Sequence, residues 1–246
     1  MHPTRLRKLA LLPVLFGLTI IVSGLAGCSR PQSGPSNPNQ TQASSNTDAD
    51  KYVTPRKIYP YDLKSAEKEL AGKSVWVRPG SPRAFYRYGA TGPDTNHKAG
   101  ALPTLGRLDV KGVVVQSVAV PIAPNVRIRR RELLLVFTAP WQQGQFAVPI
   151  ATENSDSYAF TVNDQFFFED PHKLYAHWPP EVWAAIDRHE ATQGMNELQV
   201  SFAFGAEIAS SGGPYGNRWA RYNTDGGTTK VVFKDDKAVE VDRESK

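Results

Sequence analysis

Four apolar, β-branched runs between Val110 and Phe168 constrain this chain more than any other feature. They are Val110–Val120, Val126–Phe137, Phe146–Ile150 and Tyr158–Phe168, separated by Gly, Pro and Asn. Short runs punctuated this way read as antiparallel strands joined by tight turns. Lys73–Arg78 alternates apolar and polar residues and reads as another strand, after a short helix over Asp62–Leu70. Pro79–Pro103, rich in proline and glycine and carrying Phe85, Tyr86 and Tyr88, reads as a long loop. These features predict a small β-barrel-like (SH3-like) region over residues 58–170.

The remainder reads differently. Residues 171–178 form a connector, and 179–246 a second module. Pro179–Glu190 has the first-turn prolines of a helix, with Val182, Trp183 and Ile186 at helical spacing. Asn196 and Gln199 make a capping box, Met195 and Val200 a hydrophobic staple, and Gly205 a helix terminator. Strands follow at Arg218–Tyr222, Lys230–Phe233 and Ala238–Val241, the last two around a turn at Asp235–Lys237. The expected class is α+β: the barrel-like region, then a two-helix, three-stranded antiparallel module. Gly194-Met195, Gln199-Val200, Phe204-Gly205, Trp219, Tyr222 and Val232–Lys237 with Val239 together resemble the SmpA/OmlA (BamE-like) family of outer-membrane lipoproteins. That resemblance implies a scaffold or protein-interaction role in outer-membrane assembly or maintenance.

The first 28 residues set an address. Arg5, Arg7 and Lys8 precede an uncharged apolar run, and small residues lead to Leu25-Ala26-Gly27-Cys28. This is the layout of a secretory signal peptide over 1–27. Its last four residues resemble the bacterial lipobox, which implies cleavage before Cys28 and acylation of that residue. Ser29, by resemblance to the Gram-negative sorting rule, implies the outer membrane, facing the periplasm. Cys28 is the only cysteine, so no disulfide is available to the fold. Residues 28–57, dominated by Ser, Pro, Asn, Gln and Thr, read as a lipidated cysteine and a disordered tether.

Charge narrows the partners. The formal net charge is +5, and loss of Arg5, Arg7 and Lys8 with the leader lowers it to +2. Such a balance gives no electrostatic case for nucleic acid. Arg127, Arg129 and Arg131 alternate along one predicted strand. Two readings stay open for them: a patch for phosphate or lipid headgroups, or a solvated face that guards an edge. Tyr86 and Tyr88 form a second candidate, as a stacking platform for a ligand or as a lid. Glu169, Asp170, His172, His177 and Glu181 are metal-ligating types, but Pro171, Pro179 and Pro180 mark a connector and no ligand motif spans them. No metal and no cofactor are expected. The chain lacks a nucleophile elbow or phosphate loop. The expectation is therefore a noncatalytic, membrane-anchored envelope protein that binds another envelope protein. A cell-wall glycan or headgroup-binding module is the alternative, with an envelope enzyme ranked below both.

Overall fold

The computed structural model describes residues 49–80, 83–124, 126–224 and 226–245, with backbone alone at 119–122, 127 and 245. The leader, Cys28 and most of the expected tether lie outside the described residues.

Seventeen elements lie wholly within the described residues. A helix α1 (Leu63–Leu70) precedes β1 (Ser74–Val77), β2 (Ala84–Gly89), β3 (Gly92–Ala101), β4 (Arg107–Ala123), β5 (Val126–Ala139), β6 (Gln142–Asn154) and β7 (Ser157–Phe160). Then come α2 (Val162–Gln165), β8 (Phe166–Phe167), α3 (Pro171–Leu174), α4 (Pro180–Asp187) and α5 (Glu197–Phe204). Four strands close the order: β9 (Glu207–Ser210), β10 (Trp219–Thr224), β11 (Gly227–Lys234) and β12 (Lys237–Ser245).

The strands form two antiparallel sheets. The first has eight strands in the order β3-β2-β6-β5-β4-β1-β8, with β7 also on β6; the second runs β12-β11-β10-β9. This corrects the expected α+β class, because the described chain is mostly β. No pairing among the described residues joins β3 to β8, so the first sheet is not drawn as a closed SH3-like barrel. The second sheet has four strands rather than three, and its helices are at most eight residues long.

Two misread stretches explain the difference. Pro79–Pro103 is largely a hairpin, β2 with β3, although β3 (GPDTNHKAGA) contains few residues that favour strands. It is an edge strand, where proline is tolerated because one side of the ladder is open. Phe85 holds that hairpin to the core, 1% exposed and edge-on to Phe146 with centroids 5.1 Å apart. β9 went unseen because Glu207–Ser210 buries no residue fully.

Two hydrophobic clusters fill the body. The first holds Leu70, Val75, Val77, Leu133, Leu135, Phe137, Phe146 and Phe166. The second gathers Phe167, Tyr175, Trp178, Trp183, Phe202, Tyr222, Val231 and Phe233. Successive residues of a strand point to opposite faces, so the dipeptide β8 sends Phe166 into one core and Phe167 into the other. The expected connector 171–178 supplies Tyr175 and Trp178 to the second core, and Pro171–Leu174 is helical. Local signals at α5 are realised: Asn196 and Gln199 form the reciprocal capping box, and Gly205 ends the helix at φ 86°.

Candidate interaction surface

β4 and β5 pair from Asp109–Thr138 to Ala123–Val126. Their neighbours stop earlier. β6 accompanies β5 only as far as Glu132–Thr152, and β1 accompanies β4 only over Arg107–Asp109. The hairpin beyond Gln116 and Glu132 therefore stands as a two-stranded arm, about 25 Å long at ~3.3 Å per residue. Long runs of β-branched residues make this ribbon, and its two outer edges carry backbone groups unpaired by any described strand.

The predicted arginines lie on this arm. Arg131 is fastened at its root: Nη2 lies 2.7 Å from Glu153 Oε1, and Nε donates to the same oxygen at 2.8 Å. The Arg131 guanidinium holds the Glu153 carboxyl below its ordinary value. Arg131 is thus neutralised and acts as a brace. Arg129 and Arg130 are exposed and have no ion pair among the described residues. They point to opposite faces of the arm, because they are adjacent along a strand. Arg127 takes part in the ladder through its backbone, opposite Pro121. On the Arg131 side a groove of about 720 Å³ opens between α1 and the arm's root, lined by Lys64, Lys68, Val113, Val115, Arg131 and Tyr158 among others.

Tyr86 and Tyr88 occupy β2 and are half-buried. Tyr86 pairs with Ala147, which in turn pairs with Val136. Directly paired residues share a face, so Tyr86 lies on the side of Val136, opposite to Leu135, Leu133 and Arg131. The structure does not bring the predicted tyrosines and arginines onto one surface.

A second feature escaped the sequence reading. The end of the expected tether is seated on the body. The Asp50 side chain, 9% exposed, accepts from His177 Nε2 at 2.6 Å, Trp178 Nε1 at 2.6 Å and Asn196 Nδ2 at 2.7 Å. Val53 packs on the second core. Further along, Asn163 grips Ile58 from both sides, accepting from its N–H at 3.0 Å and donating to its carbonyl at 2.8 Å. Arg56 N–H donates to Glu169 at 3.2 Å. The signal for this strap was local: Ile58 and Pro60 are buried while Tyr59 and Tyr61 face out, a period of two.

No protein-family model, no curated protein and no solved structure matches this chain.

The acidic and histidine cluster is used for packing. Asp170 caps α3, His172 stacks on Trp183 with ring centroids 4.0 Å apart, and His177 serves Asp50. Among the described residues no group of three or more His, Cys, Asp or Glu side chains is placed to hold a metal ion. No described helix is long and apolar enough to cross a membrane. Among the described residues the most deeply buried ion pair joins Glu197, 1% exposed, to Arg218 Nη2 at 2.5 Å, with Arg218 also held by Glu207 at 2.6 Å. Glu197 Oε2 accepts from Gly216 N–H at 2.6 Å, so this pair ties α5 to the loop before β10.

Proposed function

We propose that this chain is a lipid-anchored protein of the bacterial cell envelope that works by binding another envelope protein rather than by catalysis. The observation that carries this reading is the arm: a two-stranded ribbon whose outer edges pair with no described strand and whose Arg129 and Arg130 have no ion pair among the described residues. Open strand edges bind an added strand through main-chain hydrogen bonds, and guanidinium forks take carboxylates in two-pronged geometry. Together they fit an acidic protein segment. The anchor is Cys28, by its resemblance to a lipobox residue. The C-terminal motifs that resemble SmpA/OmlA lipoproteins support the same outer-membrane address.

Site-specific photocrosslinking in cells tests the reading. A crosslinker at Val126 or Arg129 is expected to trap one discrete protein, whereas a crosslinker at Val239 on β12 does not. Arg129→Glu with Arg130→Glu removes the product while the melting temperature stays unchanged. A crosslink to lipid or to cell-wall glycan alone, or a protein product that survives both charge reversals, overturns it. The first of those outcomes supports the glycan or headgroup-binding alternative.

A further inference from the structure

We infer that the strap from Lys51 to Tyr61 is a membrane-contact surface, which lies against anionic lipid headgroups and orients the body on the bilayer. It deepens the lipid-anchored reading above and rests on it for proximity. The 22 residue steps from Cys28 to Asp50 span at most about 75 Å at ~3.5 Å each.

The strap's inner side is built to hold its outer side still. Asp50 fastens one end through three donors, Asn163 clamps Ile58 by both backbone groups, and Asp62 starts α1 at the other end. Ile58 is 4% exposed and Pro60 is buried. What then faces solvent is unusual. Tyr52, Tyr59 and Tyr61 are 83%, 78% and 75% exposed, above the other exposed large hydrophobic side chains described, of which Tyr215 at 59% comes next. Tyr59 and Tyr61 alternate with the buried Ile58 and Pro60, so a fixed backbone holds both rings open on one side of the strap.

The chemistry of the outer side selects that partner. No acid occurs between Asp50 and Asp62, while Arg56 and Lys57 are basic and exposed. Arg56 leans toward Glu69 at 3.6 Å, and the side chains of both are substantially open to solvent. Tyrosine presents an apolar ring and a polar hydroxyl, and it concentrates at the water–bilayer boundary. A basic residue near an anionic surface strengthens binding about fivefold each, with a reach of one Debye length. An array of cations and amphipathic rings, on an extended segment that starts close behind a lipid anchor, fits a negatively charged bilayer.

The test uses the absence of any cysteine other than Cys28. Tyr59→Cys is labelled with a fluorophore, and the lipidated protein is placed in phosphatidylcholine vesicles with or without phosphatidylglycerol. Iodide quenching is expected to fall several-fold only with phosphatidylglycerol. Arg56→Gln with Lys57→Gln restores quenching, as does 1 M salt, where the Debye length is ~3 Å. A label at Tyr215→Cys stays accessible throughout. Equal quenching at residue 59 in both vesicles overturns the inference, as does shielding that only Arg129→Glu with Arg130→Glu removes. Failure of the anchor is separate, since a thiol reagent that labels the otherwise unsubstituted protein shows Cys28 free of lipid. Repeating the residue-59 measurement with Cys28→Ser then reads the strap alone.

Discussion

The turn between β11 and β12 places two consecutive aspartates in the left-handed region, Asp235 at φ 52° and Asp236 at φ 56°. Asparagine and glycine suit such turns better than aspartate. The Asp236 Oδ1 accepts from Glu197 N–H at 3.3 Å, at the start of α5. Burial raises the Asp236 carboxyl above its ordinary value, with Glu197 and Asp50 adding repulsion. The folded state therefore binds that proton more tightly than the unfolded chain. Its contribution is full below the unfolded value and is lost as pH rises through the raised folded value. Asp236→Asn keeps the Oδ1 acceptor, fits the backbone and carries no charge. It is expected to stabilise the protein at neutral pH by up to about 1 kcal/mol, most of it from backbone preference because partial exposure screens the charge. Chemical denaturation at pH 7 and pH 4 checks this, and the advantage of the variant should shrink at the lower pH.

At the scale of elements, the strap depends on a carboxylate that joins it to two others: α5 through Asn196, and the turn before α4 through His177 and Trp178. Asp50→Ala leaves those donors without their acceptor. Part-buried donors that lose a charged partner cost about 1–3 kcal/mol each at most, and water will satisfy some of them. The expected result is local release of the strap rather than global unfolding. Trypsin should cut after Lys51, Arg56 and Lys57 at least tenfold faster in the variant, while amides of β5 keep their exchange protection. Unchanged cleavage would show that Asn163 and Ile58 hold the strap without Asp50. The arm has the opposite character: its ladder runs in register from Gln116–Glu132 to Pro121–Arg127 and shifts before Ala123–Val126, and it rests on one neighbouring hairpin and the Arg131–Glu153 brace.

On the whole-molecule scale, the two cores meet along β1 and β8. Val75 and Val77 belong to the first and Trp76 packs on the second, while Phe166 and Phe167 divide in the same way. Both cores fall within a single compact unit. Arg78 sits over the Phe167 ring at 4.4 Å, and the Phe202 ring centroid lies 5.7 Å from that of Phe167. A shared wall predicts one cooperative unfolding transition. Phe167→Ala removes a ring that is 1% exposed, at a cost of about 3–5 kcal/mol. Hydrogen exchange in denaturant is the measurement: β11 amides should open before β5 amides in the variant and together with them in the natural protein. Coincident opening in both would place the coupling elsewhere along β1.

Local instructions were readable from the sequence alone. The capping box at Asn196–Gln199, the terminator Gly205, and the β-branched runs of β4 and β5 depend on neighbours a few residues away. The side-chain identities carry those meanings without any fold around them. The tertiary structure decided what depends on distant partners. Gly- and Pro-rich β3 is a strand because β2 offers it a ladder, and Glu207–Ser210 is a strand because β10 does. Asp50, one polar residue in a polar tract, became a fastening point through donors 127, 128 and 146 residues away. Arg131 reads like Arg129, yet Glu153 on the next hairpin neutralises the first, while the second has no ion pair among the described residues. Period and composition report which way a residue faces along its own strand, whereas its partner across the fold is set by packing and register that only the assembled sheets provide.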